Sequence, residues 1–169
     1  MPAPSSSHLV LLDNTVLSNF AKVDRSELAL SLWSTCATTS ETWQEYTIGI
    51  AIGKLQKNTW KSLQIIELNP SENKFATSLS STLGAGERTC IAVAKHRQGL
   101  FVTDDRRARK VALDLVIKVT GTLGVLVVAI ERKICTLKDA NDTLAKMIQL
   151  GYHSPVDDLK ELLNRLSSN

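Results

Sequence analysis

Residues 100–112 read LFVTDDRRARKVA. Four strand-favouring residues, Leu100 to Thr103, run into two adjacent carboxylates, Asp104 and Asp105. The cations Arg106, Arg107, Arg109 and Lys110 follow. A short apolar run with polar bounds is the pattern of a strand buried on both faces. Acidic residues at the start of the next segment complement a helix dipole. The stretch therefore predicts a βα unit whose strand ends on acid and whose helix carries a basic side. Two like charges side by side are costly unless something neutralises them, so the question is which other segments reach the same end.

Working outward, the same punctuation recurs. HLVLLD (8–13) is a second apolar run, and it stops at Asp13. NTVLSNFAKV follows with helical spacing, then RSELALSLW (25–33) as a short helix and CATTS (36–40) as a weak strand. Ser40 is placed to cap a helix over ETWQEYTIGIAIGKL. SLQIIEL (62–68) predicts a strand, NPSEN a turn with a helix start, and FATSLSSTL a helix. GAG (84–86) breaks the chain before ERTCIAVAKHRQG, a helix with Gly99 as its stop. LVIKV (115–119) predicts a strand, TGTLG a turn, and VLVVAIERKI a nearly all-apolar helix, suited to a core or a dimer face. Helices are expected over 136–151 and 154–166, the second capped by Ser154 and Pro155. Apolar strands alternating with helices argue for an α/β fold, a mostly parallel sheet covered on both sides. In such sheets, ligands bind beyond the carboxyl ends of the strands.

The bulk numbers agree. A chain of 169 residues with 43% hydrophobic and 22% charged residues is expected to fold as one domain with a real core. The net charge of +3 is too small to announce a nucleic-acid binder by itself. The longest apolar run, LGVLVVAI (123–130), is far short of the ~20 residues that span a bilayer. The first residues, MPAPSSSHLVLLD, lack the basic start of a signal peptide, so a cytoplasmic protein with no membrane partner is expected. Cys36, Cys90 and Cys135 are far apart and form no C-x-x-C pair, which predicts free thiols rather than a zinc site or disulfides.

Four acidic positions share one rim in this topology: Asp13 and Asp104 at strand ends, Glu45 and Glu87 near helix starts. Asp105 stands beside Asp104, and Glu41 lies one helical turn before Glu45 and competes with it. Each alone is explained as a cap, a turn former or a complement to a helix dipole. Together they repel, and a hard divalent cation with oxygen ligands removes that cost. The three histidines, His8, His96 and His153, are scattered and suggest no nucleophilic triad. The Gly-containing turn with Thr120 and Thr122 is either an anion site at a helix start or a tight connection.

The pieces LLDNTVLSNF, TSETWQEY, LGAGERTCIAVA, LFVTDDRRARKVA and VTGTLGVLVVA, lying between residues 9 and 129, resemble PIN-domain ribonucleases of the VapC-like toxin branch, in the family's order. The resemblance implies a three-layer α/β/α sandwich over a single domain, 1–169, with a core of about 8–135 and C-terminal helices of about 136–167. It implies an endoribonuclease dependent on Mg or Mn. Its catalytic acids are Asp13, Glu45, Glu87 and Asp104, and Asp13, Glu87, Asp104 and Asp105 are its candidate metal ligands. Glu87 stands where other branches carry Asp. Thr15 falls on a hydroxyl position that supports the first acid. Arg106, Arg107, Arg109 and Lys110 could hold an RNA backbone beside the ions, and their alternative is a solvated helix face paired to Asp105 and Asp114. The resemblance also implies a cognate antitoxin and a homodimer. A housekeeping RNA-processing nuclease and a non-catalytic RNA- or protein-binding module are the alternatives. A phosphotransferase of the haloacid-dehalogenase type needs a second Asp two residues after the first, where this chain has Thr15.

Overall fold

The computed structural model describes residues 8–53, 55 and 60–168. They form five strands and nine helices in the order β1 (Val10–Leu12), α1 (Asn14–Lys22), α2 (Ser26–Leu32), β2 (Cys36–Thr39), α3 (Ser40–Ala51), β3 (Gln64–Ile66), α4 (Pro70–Ser78), α5 (Ala85–His96), β4 (Leu100–Val102), α6 (Arg106–Asp114), β5 (Lys118–Thr120), α7 (Thr122–Glu131), α8 (Leu137–Gln149) and α9 (Lys160–Ser167). The sheet is parallel throughout, in the order β3-β2-β1-β4-β5. The chain builds outward from β1 to β3, then crosses back to place β4 on the other flank of β1. Strand order therefore reverses between β1 and β4, which pair from Val10–Leu100 to Leu12–Val102. The reversal leaves a crevice at the carboxyl ends of these two strands, where open α/β sheets bind ligands.

Helices cover both faces, giving the expected three layers. Successive strand side chains point to opposite faces. Val10, Leu12 and Val102 pack with Val16, Leu17 and Phe20 of α1, Leu28 of α2, Leu126 of α7 and Leu144 of α8. Leu11, Ala37 and Phe101 pack on the other face, with Ile91 and Val93 of α5 and Ala108 and Ala112 of α6. Burying each large side chain contributes about 1.5–3 kcal/mol. Both faces of β1 are dry, so its sequence is continuously apolar instead of alternating.

Several boundaries differ from the sequence reading, each for a local reason. Thr39 caps α3, and Ser40 is the first helical residue, donating its hydroxyl to Glu67. α3 ends at Ala51 with Ile52 as its C-cap, short of the expected end at Leu55; Lys54 lies outside the described residues. The helix expected over FATSLSSTL ends at Ser78. β5 begins at Lys118 because Leu115 to Ile117 close α6: Val116 takes a left-handed φ of 61°, and Ile117 N–H bonds back to Ala112. This is a Schellman cap. α5 closes the same way, with Gln98 at φ 52° in the left-handed position and Gly99 one residue later, donating to Ala94. Gly99 is required for space, since a Cβ there would meet the Leu9 carbonyl at 2.9 Å. The final helix starts at Lys160, not Ser154: the Ser154 hydroxyl turns onto Val156, while Asn141 and Asp158 receive the amides of Leu159 and Lys160.

Candidate active site at the carboxyl rim of the sheet

Asp13 leaves β1 directly into the crevice, and its amide continues the sheet by donating to Val102 at 2.9 Å. It is buried, 1% exposed. Although it occupies the N-cap position of α1, its side chain makes no capping hydrogen bond. Instead Oδ2 accepts from the hydroxyls of Thr103 at 2.8 Å and Thr15 at 3.0 Å. Those hydroxyls in turn accept backbone amides: Asp105 N–H on Thr103 and Asp104 N–H on Thr15, each at 3.1 Å. Two hydroxyls thus tie the end of β1 to the end of β4 around one carboxylate. Burial pushes the Asp13 carboxyl above its ordinary pKa, the two threonines pull it down, and the charge of Glu45 pushes it up again.

Glu45 arrives from the middle of α3. Its Oε1 accepts the Gly86 amide at 3.0 Å, at the start of α5. A Cβ on Gly86 would stand 2.6 Å from the Thr42 hydroxyl and 3.0 Å from Glu45 Oε2, so only glycine lets α3 and α5 close together here. Glu87 folds back to accept the Gly84 amide at 2.9 Å. Gly84 lies between the two acids: a Cβ there would be 3.8 Å from both Glu45 Oε1 and Glu87 Oε2. Burial raises the Glu87 pKa, the Gly84 amide lowers it, and the charges of Asp13, Asp105 and Glu45 raise it further. None of Asp13, Glu45, Glu87 and Asp105 takes part in an ion pair among the described residues. Glu41, the competitor for Glu45, lines a separate cavity of about 200 Å³ with Asn73, Thr77 and Arg88.

The two adjacent aspartates divide. Asp104 turns toward α1 and α7. Its Oδ1 accepts the Thr122 amide at 2.9 Å, and its Oδ2 accepts Asn19 Nδ2 at 3.0 Å and the Thr122 hydroxyl at 2.5 Å. The anion at the start of α7 is therefore the protein's own carboxylate. Gly121 makes room for it, since a Cβ there would lie 2.5 Å from Asp104 Oδ1. Asp105 caps α6 through Oδ1, which accepts Arg107 and Ala108 amides at 2.8 Å. It is Asp105 whose charge bears on Glu87.

The four cations divide as well. Arg109 donates to the Thr103 carbonyl at 3.0 Å and braces the end of β4. Lys110 is exposed and pairs with Asp114 one turn on. Arg106 and Arg107 are exposed and line a groove of about 710 Å³ with Asn14, Thr15, Asn19, Lys22, Asp104 and Asp105, closed by Gly151, Tyr152 and His153. The sequence reading passed over Asn19 and Thr103 in these roles. Thr103 was visible as the hydroxyl preceding the acid pair, whereas nothing local marks Asn19, which lies 85 residues from its partner Asp104.

Among the described residues, no three His, Cys, Asp or Glu side chains stand close enough together to hold one bare ion. No described helix is long and apolar enough to cross a membrane. Cys36, Cys90 and Cys135 are free thiols. A family described as PIN domain matches residues 9–168 of the chain, while no curated protein and no solved structure matches it.

Proposed function

Because the chain belongs to the PIN-domain family, whose fold is of the nuclease type, we propose that it is a metal-dependent endoribonuclease with Asp13, Glu45, Glu87 and Asp105 as its acidic centre. One observation supports the reading: Asp13, Glu45, Glu87 and Asp105 take part in no ion pair among the described residues, and burial, with the charge of Glu45 on Asp13 and the charges of Asp13, Asp105 and Glu45 on Glu87, holds the Asp13 and Glu87 carboxyls above their ordinary pKa. The donor chemistry fits a hard cation, since all the donors are oxygen. The proposed ion is Mg²⁺ or Mn²⁺, as the sequence resemblance implies. Bound there, such an ion supplies an activated water and offsets charge building on the phosphate. The protein's part is to orient the carboxylates: Thr15 and Thr103 fix Asp13, the Gly86 amide fixes Glu45 and the Gly84 amide fixes Glu87.

In this proposal Asp104 is a positioning residue, anchoring α7 and α1 to the end of β4, and Asp105 is the fourth acid. Assignment as the toxin of a toxin–antitoxin pair, acting as a homodimer, belongs to the same proposal and rests on the sequence resemblance. The test is cleavage of single-stranded RNA by purified protein. Activity with Mg²⁺ or Mn²⁺ that EDTA stops, and that Asp13→Asn removes without unfolding the protein, is the expected outcome. Cleavage that survives either treatment overturns the proposal.

A further inference from the structure

A buried group of hydroxyls with one thiol stands where β2 runs into α3 and α5 begins. Thr38, Thr39, Thr42, Thr89 and Cys90 are all buried. β1 and β2 pair as far as Leu11–Ala37. The Thr38 hydroxyl carries that link one step on, donating at 2.7 Å to the carbonyl of Leu12, the residue before Asp13. Thr39 caps α3: its Oγ1 accepts the Thr42 amide at 3.4 Å, and its hydroxyl donates to Thr42 Oγ1 at 3.1 Å. Thr39 Oγ1 also lies 2.7 Å from Thr89 Oγ1. The Cys90 thiol closes the group, 3.3 Å from Thr42 Oγ1 and 3.8 Å from Thr39 Oγ1. Burial, with the charge of Asp13, pushes this thiol up to about 12. It is therefore a neutral hydrogen-bonding group, not a thiolate. Thr89 donates in turn to the Gly86 carbonyl at 2.9 Å. Gly86 is thus held on both sides, its carbonyl by Thr89 and its amide by Glu45 at 3.0 Å.

Resting on the nuclease reading, we infer that Thr39, Thr42, Thr89 and Cys90 are positioning residues for Glu45. Their hydrogen bonds set the gap between α3 and α5, and that gap keeps Glu45 on the Gly86 amide at the rim where the divalent ion binds. The four act through Glu45 and meet neither the ion nor the RNA. Stability alone does not call for them, since replacing hydrogen-bonded partners together by apolar groups of the same shape is nearly neutral. What directional bonds add to a packed core is one fixed arrangement. The gap has no slack: Thr42 Oγ1 stands 2.6 Å from where a Cβ on Gly86 would be.

The test compares Thr42→Val, which keeps the shape and loses the hydroxyl, with Thr42→Ser, which keeps the hydroxyl. Three quantities are measured without RNA: Mn²⁺ affinity, by the electron paramagnetic resonance of free Mn²⁺; hydrogen exchange of the Gly86 amide in EDTA; and the urea midpoint. Thr42→Val should weaken Mn²⁺ binding about tenfold and speed exchange at Gly86, with a urea midpoint near that of the wild type. Thr42→Ser should restore both. If Thr42→Val does not fold, Thr89→Val is read in its place, with the same expectation. Mn²⁺ affinity and Gly86 exchange that stay at the wild-type values overturn the inference. So does a Thr42→Ser protein as impaired as Thr42→Val, which would mark a role in packing alone. Cleavage is read separately. If the wild-type protein cuts no RNA, the nuclease reading fails, and exchange at Gly86 still decides the positioning role. If the wild type cuts RNA and Thr42→Val binds Mn²⁺ as tightly, the positioning role fails alone.

Discussion

Asp13 is held by two hydroxyls that each also receive a backbone amide, Thr15 from Asp104 across the crevice and Thr103 from Asp105 in its own loop, so neither can turn away without orphaning a partly buried donor. The arrangement keeps a carboxylate aimed into the rim although burial raises its pKa. A folded pKa above the unfolded one means the native state binds the proton more tightly. In the absence of metal, the Asp13 and Glu87 contributions therefore lower stability as pH rises above about 4. Asp13→Asn in EDTA at neutral pH is expected to gain about 1 kcal/mol, read as a rise in Tm of about 2–4 °C, while losing cleavage. The neighbouring aspartates separate by the same logic. Asp105→Asn should reduce cleavage beyond the roughly 10–100-fold typical of a supporting group, and Asp104→Asn should stay inside that range. Because Asp104 accepts three hydrogen bonds, its substitution should instead cost about 1–2 kcal/mol in urea unfolding. Kinetics and denaturation on the same two variants decide the assignment.

Among elements, the helix ends carry unusual chemistry. α1, α5, α6 and α7 are each followed by a non-glycine residue in the left-handed region: Asp24, Gln98, Val116 and Lys133. Val116 is the costly one, since a β-branched side chain at φ 61° crowds its own backbone and, at 89% exposed, gains almost nothing from burial. Val116→Gly is expected to stabilise by about 1 kcal/mol, seen as a higher urea midpoint with unchanged slope. α4 is tied to α5 by a different device. Buried Glu72 closes the capping box at Asn69 and accepts Arg97 Nε at 2.6 Å and Nη2 at 2.8 Å. The Arg97 guanidinium holds the Glu72 carboxyl below its ordinary pKa. A lowered folded pKa gives stability that is complete above the unfolded value of about 4.3 and is lost as pH falls through the folded one. Glu72→Gln should therefore lower stability at pH 7 by about 2 kcal/mol, discounted for the partly exposed Arg97, and flatten the acid limb of the stability curve.

At the scale of the whole molecule, the strand order β3-β2-β1-β4-β5 brings acids that are far apart in the chain to the same rim of the sheet. That order places the ends of β1 and β4 side by side and lets α3 and α5 lean over them. A fold that gathers like charges without internal cations should be stabilised by the ion that relieves them. Adding Mn²⁺ to the metal-free protein at neutral pH should raise Tm, EDTA should reverse the rise, and Asp13→Asn should reduce it. A Tm indifferent to divalent ions would count against the metal centre.

By itself, the sequence determined the alternation of buried strands with helices, the acids at the ends of HLVLLD and LFVTDD, and the glycines that open α5 and α7. These are local signals, set by periodicity and by backbone positions that tolerate no Cβ. It left open Asp104 against Asp105 and Glu41 against Glu45, because adjacent or same-helix residues carry the same local propensity. Only the tertiary structure gives them different surroundings: Thr122 and Asn19 meet Asp104, the Gly86 amide meets Glu45, and the charge of Asp105 bears on Glu87. The groove lined by Thr15, Arg106, Arg107 and His153 was equally hidden, since its walls come from segments more than a hundred residues apart.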